Sequence, residues 1–170
     1  FTEYAGEVQG VRGENGAGKS TLMSILAGLY RPDEGEVLIH GHSASLHAPH
    51  DAIERGIGMV YQHFMLVDSF SVAENVILSQ RQRGWNIDRA SVERELTKLG
   101  QRYGLEVDPK ALVWQLSVGE QQRVEILRLL ARGAKILIFD EPTAVLTPQE
   151  AHQLLATMRS ICLLYTSDAA

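Results

Sequence analysis

Residues Gly13 to Thr21 read G-E-N-G-A-G-K-S-T, and the spacing G-x-x-x-x-G-K-S inside that stretch decides the fold. Gly13, Gly16 and Gly18 allow the backbone to turn tightly and aim its N–H groups at an anion. Glu14, Asn15 and Ala17 fill the loop between them, and Thr21 continues it. A helix opening at Lys19 adds unpaired N–H groups and the positive end of its dipole. Lys19 offers a point charge for the β- and γ-phosphates of a nucleotide, and Ser20 a hydroxyl for Mg²⁺.

Such a loop follows a strand, and Glu7 to Arg12 (E-V-Q-G-V-R) is the segment placed to be it. It is a poor buried strand, with Gly10 inside and Arg12 at its end. Downstream, Leu22, Ile25 and Leu26 form one apolar helical face that Gly28 is placed to end. Arg31 to Gly35 reads as a turn, Glu36 to His40 as a short strand, and Gly41 to Pro49 as a loop. Asp51 to Arg55 is a short helix and Gly58 to Gln62 a buried strand. From Trp85 to Gly104 a stripe of Val92, Leu96, Leu99 and Tyr103 predicts an amphipathic helix capped by Asp88. No strand is predicted between about Phe64 and Lys135.

Ser117-Val118-Gly119-Glu120 and Thr147-Pro148-Gln149-Glu150 both have capping-box spacing, and a helix should run from the second to about Ser160. Between them, Lys135 to Asp140 (K-I-L-I-F-D) is an unbroken apolar run ending in an acid, the pattern of a strand buried on both faces. Strands alternating with helices imply an α/β fold with a mostly parallel sheet. Ligands bind at the carboxyl ends of such strands. Asp140 is therefore a candidate Mg²⁺ ligand and Glu141 a candidate base for an attacking water. Gln62, ending another strand, could contact both metal and water.

The 170 residues carry a formal charge of −5, which argues against a nucleic-acid surface. No apolar run is long enough to span a bilayer and no signal segment opens the chain, so a membrane role needs a partner. One cysteine, Cys162, excludes an internal disulfide. His40, His42, His47 and His50 stand close in sequence, but without Cys or acidic partners at familiar spacings they read as a polar loop.

With these motifs in order, the chain resembles the nucleotide-binding subunit of ATP-binding cassette (ABC) transporters over about residues 5 to 161. The carriers are the loop at Gly13–Thr21, the signature-like L-S-V-G-E-Q at Leu116–Gln121, and I-L-I-F-D-E-P at Ile136–Pro142. Gln62 in Y-Q-H-F-M-L matches the family's glutamine loop. The stretches Gly56–Val67, Ser71–Val76, Leu116–Leu127 and Glu141–Glu150 are similar to the simple-sugar and nucleoside importers of bacteria, whose chains usually hold two cassettes; this one resembles the first.

The resemblance implies a P-loop NTPase sheet with a helical subdomain, about residues 64–116, inserted before the signature helix. It implies ATP and Mg²⁺ as ligands. The loop residues Gly13 to Thr21 would bind ATP, with Ser20, Gln62 and Asp140 holding the metal. Glu141 would be the general base and Gln62 a relay. Ser117 and Gly119 would touch the γ-phosphate held by a second cassette. Expected partners are that second cassette, transmembrane permease subunits and, indirectly, a periplasmic or lipoprotein solute-binding protein. Nucleic acid is not expected. The expected location is the cytoplasmic face of the bacterial inner membrane, peripherally bound.

Departures from the family pattern are Val118 and Glu120 within the signature, Thr147 where many cassettes have Asp, and Arg12 beside the loop. The adenine-stacking aromatic and the switch histidine are expected outside this chain; Tyr4 and His152 are not substitutes for them. Cys162 to Ala170 (C-L-L-Y-T-S-D-A-A) does not continue the family pattern and resembles a translated sequencing adapter, so 162–170 is expected to be a non-native tail on a truncated cassette. Two other readings stand: a soluble ABC ATPase acting on DNA or ribosomes, and an inert nucleotide-binding fragment.

Overall fold

The structure, a computed structural model, describes residues 2, 4, 6–14, 16–80, 88–144 and 146–168. The described elements are α1 (Lys19–Leu26), β1 (Leu38–Ile39), β2 (His42–Ser43), α2 (Pro49–Glu54), β3 (Ile57–Val60), α3 (Val72–Ser79), α4 (Arg89–Tyr103), a 3-10 turn at Val113–Gln115, α5 (Val118–Ala131), β4 (Ile136–Phe139) and α6 (Pro148–Asp168).

The centre is the parallel pair β3–β4, with Ile57 opposite Ile136 and Val60 opposite Phe139. Alternation sends successive β3 side chains to opposite sides. Ile57 and Met59 join Ala27, Ala44, Leu46, Ala52 and Ile138 in a core on the side of α1 and α2. Val60 joins the larger core of α3, α4, α5 and α6, including Val72, Val76, Leu96, Leu105, Val124 and Leu127. The protein is thus layered, with the parallel pair between a small and a large apolar cluster.

Three expectations are corrected. Residues 7–12 form no strand, and Glu7 to Gly10 and Arg12 are exposed. With Gly10 and three polar residues in six, the segment offers little apolar surface to bury against β4. Arg12 consequently faces solvent and buries no charge. The stretch read as a loop from Gly41 contains β2, which pairs antiparallel with β1. His40 and Gly41 both have positive φ, 51° and 77°, as a two-residue hairpin turn of the I′ type requires. Helix α6 continues past Ser160 to Asp168. Trp85, the expected start of the segment running to Gly104, lies outside the described residues; Asp88 caps the helix as expected, its carboxylate accepting from Ala90 N, and the helix ends at Gly104.

One helix was not anticipated. Segment α3 carries a full capping box: Ser71 Oγ accepts from Glu74 N while Glu74 accepts from Ser71 N. The S-x-x-E signal is in the sequence. It is hard to read because half of the eight residues are buried, polar Asn75 among them, leaving no clear polar face.

Candidate nucleotide site

The loop's turn rests on two left-handed glycines, Gly16 at φ 83° and Gly18 at φ 85°, where a side chain would be strained. Gly18 is also the residue that precedes α1, which has no side-chain cap. The N–H groups at the start of α1 are therefore left for an outside anion. Lys19 Nζ folds back onto the loop, donating to Gly13 O at 2.7 Å and Glu14 O at 2.9 Å. Gly13, Glu14, Gly16, Ala17, Gly18, Ser20 and Thr21 are exposed, as a binding loop must be; Asn15 lies outside the described residues.

Ser20 Oγ stands 3.5 Å from Asp140 Oδ1, across 120 positions of sequence. The register of β3 and β4 makes this possible. Asp140 N donates to Val60 O at 3.1 Å, extending the ladder by one bond and holding both strand ends level. Gln62 and Glu141 then follow at the same edge. Glu141 has a left-handed φ of 47°, unusual for a residue with a side chain and worth roughly 1–2 kcal/mol of strain. It turns the chain out of strand direction, and Glu141 is exposed. Mg²⁺ prefers hard oxygen ligands and keeps several waters, and the Ser20 hydroxyl with the Asp140 carboxylate is such a donor pair. Among the described residues no hydrogen bond ties the Gln62 side chain to that pair.

The signature residues lie at the start of α5. Ser117 Oγ caps Glu120 N at 3.3 Å and donates to Glu120 Oε2 at 2.8 Å, which also accepts from Ser117 N. These bonds, the backbone one foremost, hold the Glu120 carboxyl below its ordinary range. Next to it, a Cβ on Gly119 would meet Glu150 Oε1 at 2.8 Å, so a side chain there would push the Glu150 carboxylate aside. Glu150 accepts from Thr147 N and Thr147 Oγ1, which chiefly lower its pKa, with Gly119 N contributing. Thr147, the family departure, thus has a local task.

Among the histidines, His50 does gain acidic neighbours: its ring and the carboxylates of Asp51 and Glu54 offer ligand atoms within 4.8 Å of one another. Asp51 is already engaged, accepting from His47 N and Ala48 N at the start of α2. His152 Nδ1 lies 2.7 Å from Pro148 O within α6.

A phosphate loop, an uncapped helix after it and strand-end acids at the same edge define a P-loop nucleotide-binding fold. The family model described as "ABC transporter" matches residues 1–144, and the chain belongs to that family. It is 54% identical over 157 residues to a "Nucleoside import ATP-binding protein" of Lactococcus lactis and 52% identical over 157 residues to a "Guanosine import ATP-binding protein" of Bacillus subtilis. Each match covers 92% of this chain and 31% of the relative, so the chain spans about a third of the length of those proteins. A "Ribose import ATP-binding protein" of Streptomyces avermitilis is 45% identical over 162 residues, covering 95% of this chain and 31% of the relative. Among solved structures, cbiO1 of Clostridium perfringens, part of an ABC transporter complex, superposes with a TM-score of 0.78 at 27% identity, covering 95% of this chain and 64% of the other.

Proposed function

We propose that this chain is the ATP-binding part of the energising subunit of a bacterial importer, and that with a second cassette it hydrolyses Mg-ATP. The observation that carries this is the 3.5 Å approach of Ser20 to Asp140, which joins the phosphate loop to the strand-end acids. Lys19 would exchange the Gly13 and Glu14 carbonyls for β- and γ-phosphate oxygens, while the N–H groups of Gly16 to Thr21 surround them. Ser20 and Asp140 would hold Mg²⁺, with Gln62 as a further ligand; the metal would neutralise charge developing on the phosphates. Glu141 would accept a proton from the attacking water. Ser117 and Gly119 would serve the nucleotide of the other cassette, displacing the carboxylates now beside them.

Residues 1–161 are the cassette portion in this reading, 64–116 its helical subdomain and 162–170 a foreign tail. Permease subunits would dock on it at the cytoplasmic face of the inner membrane, with a solute-binding protein on the far side. Among the described residues no helix is long and apolar enough to cross a membrane. The solute class proposed is a nucleoside, supported by identities of 54% and 52% to the nucleoside and guanosine relatives against 45% to the ribose one.

The test uses the complete chain with its permease. Glu141→Gln should leave ATP bound and stop turnover, and labelled guanosine rather than ribose should accumulate in vesicles. Retained hydrolysis would remove Glu141 as the base, and ribose uptake would overturn the solute class.

A further inference from the structure

Helix α5 carries Gln122, Glu125 and Arg128 at three-residue intervals, a row that winds slowly around a 3.6-residue helix. All three reach the main chain of other segments. Gln122 Nε2 donates to Pro142 O at 2.8 Å. Glu125 Oε1 accepts from Met65 N at 2.7 Å, and Arg128 Nη1 donates to Met65 O at 2.7 Å. The Glu125 and Arg128 side chains pair with each other. Gln122 is 4% exposed and Glu125 1%, so these two side chains make their bonds from inside the core, while Met65, the residue that Glu125 and Arg128 hold, lies at the surface. From α3, buried Asn75 secures the same segment two residues later, accepting from Val67 N at 2.8 Å and donating to Val67 O at 3.1 Å.

An apolar side chain at any of these positions would fill the core without the penalty of burying an amide or a charge. What the polar groups add is direction. They fix main-chain atoms, and hence the path of the segment, whichever side chains it bears. The two segments held are the ones leaving the nucleotide edge: Pro142 directly follows Glu141, and Met65 comes three residues after Gln62. The far end of the same helix is the Ser117–Gly119 signature.

We propose that Gln122, Glu125 and Arg128 are positioning residues which lock Glu141 and Gln62 in register with the signature end of α5, so that a γ-phosphate arriving there moves both through one rigid helix. This rests on the roles proposed above for Glu141 and Gln62. Met65 has both its N–H and its C=O held by α5, so the glutamine segment cannot shift without the helix. Gln122 gives the base-bearing segment the same tie. Neither side chain needs to touch nucleotide.

The experiment measures ATP hydrolysis by the complete chain with its permease for Gln122→Leu, Arg128→Met, Arg128→Lys and Gln62→Ala, and for Arg128→Met combined with Gln62→Ala. Gln122→Leu and Arg128→Met should lower kcat by roughly tenfold to a hundredfold while leaving KM for ATP nearly unchanged, the signature of misplaced catalytic groups. Arg128→Lys should recover part of the loss. In the Gln62→Ala background, Arg128→Met should cost little more, because its effect runs through Gln62. Equal losses in both backgrounds, or unchanged kcat in the single variants, would overturn the proposal. A variant that fails to fold is replaced in the same cycle by Gln122→Glu, which keeps the side chain's shape but removes the donor to Pro142 O; an unchanged kcat in that variant counts equally against the proposal. If Gln62→Ala and Glu141→Gln themselves turn over normally, the functional reading fails instead, which separates the two outcomes.

Discussion

Helices α1 and α5, the two proposed to meet a γ-phosphate at their first turns, are built in opposite ways. Helix α1 follows a left-handed glycine, has no side-chain cap and has no buried residue. Helix α5 is capped by Ser117, receives a reciprocal bond from Glu120, and buries Gln122, Val124, Glu125, Ile126, Leu127, Leu129 and Leu130. The first is held lightly and presents free N–H groups. The second is seated in the larger core, with the Glu120 and Glu150 carboxylates at its start. If the proposed roles hold, ligand capture sits on a lightly buried helix and the transmitting element on a deeply buried one.

The sharpest way to break this contrast is Glu125→Ala. It takes the carboxylate from Arg128 and the acceptor from Met65 N, and leaves a cavity where a fully buried side chain sat; the cost should be about 3–5 kcal/mol. Urea unfolding should show a lower midpoint with the slope kept. A loss below about 1 kcal/mol would mean α5 is no better anchored than α1. Ser117→Ala comes next. It removes a cap bond from α5 and should cost about 1 kcal/mol, read the same way.

The local signals were legible and the long-range ones were not. The capping boxes at Ser117 and Thr147, the strand Ile136–Phe139 and the glycine spacing of the loop each need only neighbouring residues. The expected strand at residues 7–12 did not form: Glu7, Gln9, Gly10 and Arg12 leave too little apolar surface to hold it against a sheet, and those residues stay exposed. The site acids could be placed at a strand end. That Asp140 reaches Ser20 depends on two separately folded segments meeting. Glu125 left one trace: a carboxylate between Val124 and Ile126, inside an apolar run, has to find a buried partner. The partner, Met65, is 60 positions away and reachable only through the fold.

Acidification separates the two kinds of carboxylate on α5. Hydrogen bonds from Ser117, its N–H first, hold the Glu120 pKa below 4.5, so its contribution is present above that value and lost as pH falls through the folded pKa. Burial pushes the Glu125 pKa above 4.5, against the pull of Arg128 and Met65 N. The folded state then binds the extra proton, and stability falls as pH rises from 4.5 through that raised value. Glu125→Gln should therefore flatten the pH dependence of the melting temperature above 4.5, whereas Glu120→Gln should flatten it below. Interchanged effects would put the burial contrast the wrong way round.

The smallest expected stability change is at Lys19→Ala, and it is the most informative about α1. Among the described residues Lys19 Nζ bonds only to the loop carbonyls Gly13 O and Glu14 O, and those can turn to water when it is removed. Surface changes of that kind usually lie within about 0.5 kcal/mol. Mg-ATP binding, followed by fluorescence of a labelled nucleotide, should nevertheless be lost, because no other side chain of the loop carries a positive charge to the phosphates. A silent melt with lost binding is what a ligand-dedicated residue produces. A large stability loss would show that Lys19 helps hold the loop itself, and α1 would then share the anchoring that sets α5 apart. Unchanged affinity would remove the loop from the site altogether, and with it the reason for leaving α1 uncapped.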